Sequence, residues 1–160
     1  MKKIDINFQM QLCQMDELSA DDQRLVQLAI NATQNSYSPY SHFKVGAGIR
    51  LENGMEILGA NQENAAFPSG LCAERTAIFG AQAQYPDQHI EALAIAAKNT
   101  EGVLTAKPVS PCGSCRQVML EIEDRYKKPM KVLLYGTEGI YVIQTVKDLL
   151  PLCFVDADMH

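Results

Sequence analysis

The chain is long enough to form one compact domain with a continuous core, because it has 160 residues of which 47% are hydrophobic. Its formal net charge is -5 and its basic residues are scattered, which argues against polymeric nucleic acid as a partner. No stretch approaches the ~18 consecutive apolar residues of a membrane span, and no signal peptide is evident, so we expect a cytoplasmic protein that binds no membrane.

The first half of the sequence predicts one helix followed by a hairpin. Residues 1–15 are interpreted as an N-terminal appendage, and residues 16–160 as a single domain. Ser19 is the expected cap of an amphipathic helix that ends near Asn35. Residues 43–50 alternate as in a strand, and the Asn53-Gly54 pair predicts a tight turn into a second strand.

The second half alternates helical and strand patterns. Helices are predicted over residues 71–84, from Pro111 onwards, and over residues 146–150, with strands over residues 90–97, 132–135 and 140–143. This order predicts an α/β fold in which a mixed five-stranded sheet is covered by helices on both faces.

Three of the five cysteines are predicted to bind zinc. Cys112 and Cys115 form a C-x-x-C pair at a helix start, a pattern that fits a redox pair as well as a metal site. Cys72, at the start of another predicted helix, is a third thiol that a dithiol enzyme does not need. Three protein ligands leave one zinc coordination position open, which is typical of catalytic zinc sites. A structural site would need a fourth ligand, for which Cys13 and Cys153 are the candidates.

Two charged residues near Cys72 have predicted roles at this site. Three thiolates around zinc leave a net charge of about -1. Arg75, three residues after Cys72, is expected to donate to the ligand sulfurs and offset that charge. Glu74 is expected to point toward the open side of the metal, where a carboxylate can transfer protons as general base and acid.

These residues resemble a known family. Cys72-Ala73-Glu74 and Pro111-Cys112-Gly113-Ser114-Cys115 resemble the two motifs of zinc-dependent nucleoside deaminases, whose acid and base is a glutamate that does not bind the zinc. Outside the metal motifs, the segments that resemble the small homotetrameric cytidine deaminases are Tyr40-Ser41-His42-Phe43-Lys44-Val45-Gly46-Ala47, Asn61-Gln62-Glu63-Asn64-Ala65 and Leu149-Leu150-Pro151.

The resemblance implies a three-layer α/β/α cytidine-deaminase-like fold, one Zn²⁺ per subunit, and a homotetramer with shared active sites. It implies a pyrimidine salvage reaction, the hydrolytic deamination of cytidine and deoxycytidine to uridine and deoxyuridine with release of ammonia. The substrate-binding residues that it implies are Asn61 and Glu63 at the sugar, Phe43 on the pyrimidine ring and the main chain of Ala73 at the base, with Phe67 and Phe154 near the subunit junction.

Four alternatives stay open at the level of sequence. A deaminase of a related aminopyrimidine nucleoside, such as blasticidin S, would use a similar cysteine set. A nucleotide deaminase is disfavoured by acidic Glu63 near the sugar and by the lack of a basic cluster. A structural zinc module would need no Glu74, and a dithiol oxidoreductase would use Cys112 and Cys115 without zinc.

Overall fold

A mixed sheet of six strands forms the middle layer of the protein in a computed structural model that describes residues 1–160. The strands run in the order β1-β6-β5-β4-β2-β3, where β4 and β5 are parallel and all other neighbours are antiparallel. The strands are β1 (Gln11–Cys13), β2 (Lys44–Leu51), β3 (Glu56–Ala60), β4 (Ile90–Lys98), β5 (Lys131–Gly136) and β6 (Gly139–Ile143).

Three α-helices cover the two faces of this sheet. Helix α1 (Ala20–Ala32) packs on one face, over a cluster that includes Leu133 and three alanines of β4, Ala92, Ala94 and Ala96. Helices α2 (Ala73–Gln84) and α3 (Gly113–Tyr126) pack on the opposite face, over a larger cluster that includes Ile49 and Leu134. The predicted three-layer α/β/α architecture is therefore confirmed. None of the helices has the length and apolar character required to cross a membrane.

The predicted number of five strands is wrong by one. The additional strand is β1, which lies within the segment interpreted as an appendage and pairs with β6 from Gln11 opposite Val142 to Cys13 opposite Ile140. It was missed because its partner strand lies more than a hundred residues away in the chain. The domain boundary at residue 15 stays a prediction, although Gln11–Cys13 extend the sheet across it.

Local sequence signals account for most element boundaries. The Ser19 hydroxyl accepts a hydrogen bond from the Asp22 amide at 3.2 Å, as the predicted cap of α1 requires. Gly54 has φ of +83° in the turn between β2 and β3, a conformation that glycine adopts without strain. The predicted last helix is only a 3-10 turn at Val146–Leu149, since Pro151 prevents a longer helix.

A glycine sets the position of α2 on the sheet. Gly59 in β3 lies beneath the start of α2, where an added Cβ would come within 2.4 Å of the Ala73 carbonyl oxygen and 2.6 Å of the Ala77 nitrogen. The missing side chain lets the first turn of α2 lie directly against the strand. That turn carries the residues Cys72 to Arg75.

Candidate active site

The three cysteines converge at the starts of two helices. Cys72 is the residue immediately before α2, Cys112 is the residue immediately before α3, and Cys115 lies in the first turn of α3. The three sulfur atoms lie within 4.8 Å of one another, and the Cys72 and Cys112 sulfurs are 3.9 Å apart. The structure thus brings together residues that are forty positions apart in the sequence.

This arrangement fits a zinc ion. Tetrahedral zinc with metal–sulfur distances of about 2.3 Å requires sulfur atoms about 3.8 Å apart, close to the separation of Cys72 and Cys112. No fourth cysteine, histidine or carboxylate joins the group; Cys13 lies in β1, and Cys153 donates to the Leu150 carbonyl. The donor set therefore has three corners of a tetrahedron, as catalytic zinc sites do.

Arg75 supplies positive charge to the cysteine cluster. Its Nη2 lies 3.5 Å from the Cys72 sulfur. A hydrogen bond from the Cys115 thiol, together with the one from Arg75, lowers the pKa of Cys72 to about 5. The hydrogen bond to Cys72 and burial raise the pKa of Cys115, so Cys72 gives up its proton before Cys115 does. A cation that binds all three thiolates displaces the protons that are left.

Glu74 is the one acidic side chain buried beside the sulfurs. It lies in the first turn of α2 with 4% of its surface exposed. Burial raises the pKa of Glu74, and the negative charge of Cys72 raises it further. A carboxyl group whose pKa is shifted toward neutrality exchanges protons readily at physiological pH, which suits the predicted acid–base role.

A cavity of about 450 Å³ opens beside Cys72 and Arg75. It is lined by residues 40–41, 61–64 and 70–72, together with Phe67 and Arg75. Its size falls within the range of small-molecule sites, and its wall combines amides, a carboxylate and aromatic rings. Of the predicted substrate-binding residues, Asn61 and Glu63 line this cavity.

Asn61 and Glu63 also hold the backbone around the cavity. The Asn61 Oδ1 accepts from the Val45 amide at 2.8 Å and from the Ser36 hydroxyl at 2.6 Å, and its Nδ2 donates to the Phe43 carbonyl at 2.9 Å. These bonds occupy both lone pairs of the amide oxygen, so a single N–H is left to donate to a ligand.

The Glu63 carboxylate organises the loop at residues 40–41. It accepts hydrogen bonds from the Ser41 hydroxyl and from the backbone amides of Tyr40 and Ser41. The Ser41 hydroxyl, followed by these amides, holds the pKa of Glu63 below its ordinary value. Glu63 is thus an ionised acceptor in the cavity wall at neutral pH.

The predicted aromatic residues lie in different environments. Phe67 is 73% exposed at the cavity mouth, where its ring lies 5.5 Å from that of Tyr40 in an edge-to-face arrangement. Phe154 is 57% exposed, away from the cavity wall, and its carbonyl accepts from Gln117. Phe43 is half-buried just before β2 and does not line the cavity within this single chain.

Arg116 is a residue of the site that the sequence interpretation missed. Its Nε donates to the Pro111 carbonyl at 2.9 Å, and its Nη1 donates to the Leu149 carbonyl at 2.8 Å. The guanidinium therefore ties the turn before Cys112 to the C-terminal segment. The only signal in the sequence was an arginine directly after Cys115, and its two carbonyl partners are recognisable only in the folded chain.

Comparison with known proteins supports the same site. A family model described as the cytidine and deoxycytidylate deaminase zinc-binding region matches residues 19–128, a range that contains all three cysteines and Glu74. This chain belongs to the cytidine deaminase family. The family membership agrees with a zinc-binding cluster formed by Cys72, Cys112 and Cys115.

Individual cytidine deaminases resemble this chain over most of its length. The cytidine deaminase of Halalkalibacterium halodurans is 41% identical over 88% of this chain and 98% of its own, and that of Sporosarcina psychrophila is 40% identical over 87% and 95%. The crystal structure of cytidine deaminase from Burkholderia pseudomallei superposes with a TM-score of 0.72 at 36% identity, over 86% of this chain and all of the other. The fold is therefore that of the cytidine deaminases.

Proposed function

We propose that this chain is a zinc-dependent cytidine deaminase that hydrolyses cytidine and deoxycytidine to uridine and deoxyuridine and releases ammonia in pyrimidine salvage. The observation that carries the proposal is the convergence of three sulfurs, without a fourth protein ligand, beside the buried carboxyl group of Glu74. A structural zinc site would close the fourth position with a side chain. A dithiol enzyme would have no use for Cys72.

Cys72, Cys112 and Cys115 would hold the zinc ion. When bound, zinc supplies a Lewis acid that lowers the pKa of water and produces a nucleophile at neutral pH. The two helix starts and Arg75 moderate the negative charge of the three thiolates. The proton transfers and the binding of the substrate are carried out by residues of this chain.

Glu74 moves the protons of the reaction. Its carboxylate takes a proton from the attacking water, the water oxygen bonds to C4 of the cytosine ring, and Glu74 delivers that proton to N3. The second water proton then passes through Glu74 to the amino group, and ammonia leaves as the C4–N bond breaks. The elevated pKa of Glu74 suits both halves of this cycle, because the group must accept and release a proton at similar pH.

The cavity residues position the nucleoside. The ionised Glu63 accepts from a sugar hydroxyl, and the remaining N–H of Asn61 donates to one. The Ala73 amide belongs to the first turn of α2, where backbone N–H groups have no partner within the helix, and it is assigned to contact with the base. Phe43 is assigned to stacking on the pyrimidine ring.

We further propose a homotetramer in which neighbouring subunits close each active site. In support, Phe67 and Phe154 are large apolar side chains left mostly exposed, Phe67 at the cavity mouth and Phe154 outside the cavity wall. Their burial in a subunit junction would remove an unfavourable contact with water. The unpaired state of the five cysteines is in keeping with the proposed cytoplasmic location.

The decisive experiment compares the wild type with Glu74→Gln. We expect Glu74→Gln to fold and to bind one zinc per chain, but to deaminate cytidine about 10²–10⁴-fold more slowly, because the amide cannot exchange the proton. Ultraviolet absorbance follows turnover of cytidine, deoxycytidine, cytosine and cytidine monophosphate, with metal content measured on the same samples.

The control is Glu138→Gln, which makes the same chemical change in the turn between β5 and β6 and should turn over normally. Undiminished deamination by Glu74→Gln would refute the role of Glu74. Failure of the wild type to deaminate either nucleoside while zinc is bound would refute the proposed substrate class.

A further inference from the structure

The Ser41 hydroxyl lies between two residues to which the proposed function assigns substrate binding. It donates a hydrogen bond to Oε1 of Glu63, the residue assigned to the sugar. It also accepts a hydrogen bond at 3.1 Å from the backbone amide of Phe43, the residue assigned to the pyrimidine ring. Ser41 itself is exposed in the loop before β2, where folding places little demand on a side chain. One side chain thus connects the two places at which a nucleoside would be held.

The backbone of Phe43 is held at both of its polar groups. On one side, Nδ2 of Asn61 donates to the Phe43 carbonyl at 2.9 Å. Asn61 also accepts from the Val45 amide at 2.8 Å, so this side is fixed to β2. On the other side, the partner of the Phe43 amide is the Ser41 hydroxyl. Loss of that hydroxyl would therefore release the N-terminal side of Phe43 while the C-terminal side stays fixed.

Ser41 also restricts how Glu63 can meet a ligand. Oε2 of Glu63 accepts from the backbone amides of Tyr40 and Ser41 at 2.9 Å and 3.3 Å, which occupies both of its lone pairs. Oε1 accepts from the Ser41 hydroxyl and has one lone pair left. The carboxylate therefore offers a single acceptor position, and the Ser41 hydroxyl fixes the direction in which that position points.

The backbone at residue 42 brings the Ser41 hydroxyl into this place. His42 has φ of +57°, a left-handed conformation that is uncommon for residues other than glycine, and its amide donates to the Ser38 carbonyl at 3.0 Å. This turn folds the Ser41 hydroxyl back toward the amide two residues ahead. Such conformations persist where surrounding contacts maintain them, and they cluster at functional sites. The contacts of Ser41 with Glu63 and Phe43 are contacts of that kind.

We propose that Ser41 is a positioning residue that sets the Glu63 carboxylate and the Phe43 backbone relative to each other, so that both ends of one nucleoside are bound together. The inference rests on the proposed function, because it requires Glu63 to bind the sugar and Phe43 to bind the ring. Ser41 bonds to neither Glu74 nor the cysteines, so zinc binding and proton transfer do not depend on it. Its loss weakens the binding of substrate and transition state alike, which raises KM and leaves kcat nearly unchanged.

Steady-state kinetics with cytidine tests this role. We expect Ser41→Ala to raise KM by about 10–100-fold, the effect of losing a hydrogen bond to a charged group, with kcat within about 3-fold of the wild type. Ser41→Thr keeps the hydroxyl and should restore KM. The control Ser69→Ala makes the same chemical change at an exposed serine of the 3-10 turn at Phe67–Ser69, outside the cavity wall, and should behave as the wild type. One zinc per chain and unchanged urea unfolding show that each variant is folded.

A double-mutant cycle shows whether Ser41 acts through Glu63. If it does, Glu63→Ala already removes much of what Ser41 contributes. The KM of the double variant Ser41→Ala/Glu63→Ala should then be at least about 10-fold below the value obtained by multiplying the two single effects. A general loosening of the loop, unrelated to Glu63, would give effects that multiply.

Calorimetric binding of uridine to the zinc-loaded protein gives the same comparison without turnover, and Ser41→Ala should weaken it about as much as it raises KM. The inference is wrong, and the proposed function stands, if the wild type deaminates cytidine but Ser41→Ala keeps the wild-type KM, lowers kcat instead, or multiplies with Glu63→Ala. A wild type that binds uridine with the expected effect of Ser41→Ala, but does not deaminate cytidine, would overturn the proposed reaction and support the role of Ser41. A wild type that binds no nucleoside would overturn both.

Discussion

Replacement of Gly59 by alanine is expected to separate the zinc ligands without changing any of them. The new methyl group would meet the Ala73 carbonyl oxygen at 2.4 Å and the Ala77 nitrogen at 2.6 Å. Both are backbone atoms of α2 and cannot rotate away as the end of a flexible side chain can. The first turn of α2 must therefore retreat from β3 and carry Cys72 with it.

The size of the effect follows from these distances. Ordinary contacts begin near 3.4 Å, so α2 has to retreat by about 1 Å. Overpacking of this kind lowers the free energy of unfolding by about 1–3 kcal/mol. Zinc–ligand distances tolerate only about 0.2 Å, so we expect zinc affinity to fall by about 10–100-fold. A misplacement of about 1 Å also lowers turnover by about 100-fold at saturating zinc.

Gly80→Ala provides the matched control, because Gly80 lies in the same helix and an added Cβ there meets nothing within 4 Å. It should raise the free energy of unfolding by about 0.5–1 kcal/mol, since alanine favours the helix over glycine. Competition with a metal chelator measures zinc affinity, and urea unfolding measures stability. Wild-type zinc affinity and stability in Gly59→Ala would show that the closeness of β3 and α2 does not position the cysteine.

Two further predictions concern charged groups. Asp22→Asn should lower the free energy of unfolding by about 3 kcal/mol at neutral pH, because Arg50 and Lys131 both pair with this buried carboxylate. Burial opposes ionisation of Asp22, but hydrogen bonds from Lys131 and Arg50 outweigh it and hold the pKa of Asp22 below its ordinary value. The stabilisation of the folded state by the ionised carboxylate is therefore complete above the unfolded-state pKa of about 3.9. It is lost as the pH falls through the folded-state pKa. Urea unfolding should therefore show the difference between the two proteins shrinking in acid, and a constant difference would contradict the assignment. Arg75→Ala should weaken zinc binding by about 10–100-fold, because the Cys72 thiolate loses a hydrogen-bond donor at 3.5 Å. Competition with a metal chelator measures the change in zinc affinity. Unchanged affinity would show that the Arg75 guanidinium is not needed for zinc binding.

The sequence predicts the metal ligands well because each depends on a short-range signal. Cys72 and Cys112 stand immediately before helices whose apolar spacing and flanking residues mark their starts. Cys115 follows within one helical turn, so its sulfur faces the same point as that of Cys112. That Cys72 lies beside Cys112 and Cys115 was inferred from the number of ligands that zinc needs, because no sequence pattern indicates that the two helix starts are close together.

Features that depend on distant partners escaped prediction. Strand β1 pairs with β6, which lies at the far end of the chain, and the apolar alternation at residues 4–12 was the available signal for it. Arg116 acts through the carbonyls of Pro111 and Leu149, which any residue at those positions would offer. The amide of Asn61 illustrates the same limit, since its spacing from Glu63 indicated sugar binding but not the three hydrogen bonds that it makes within its own chain.

The small residues of the sheet and of α2 determine how deep the active site lies. Glycine is a poor strand former, yet Gly46 and Gly59 stand in β2 and β3 where helices α1 and α2 cross with backbone atoms closer than any side chain would allow. On the helix side Ala73 and Ala77 are fully buried against the same strands. A larger residue at Gly46 would displace α1, whereas a larger residue at Gly59 would lift α2, and the Cys72 sulfur with it, away from the sheet. The need to bring two helix starts within sulfur–sulfur distance therefore explains a composition that strand and helix propensities alone would not select.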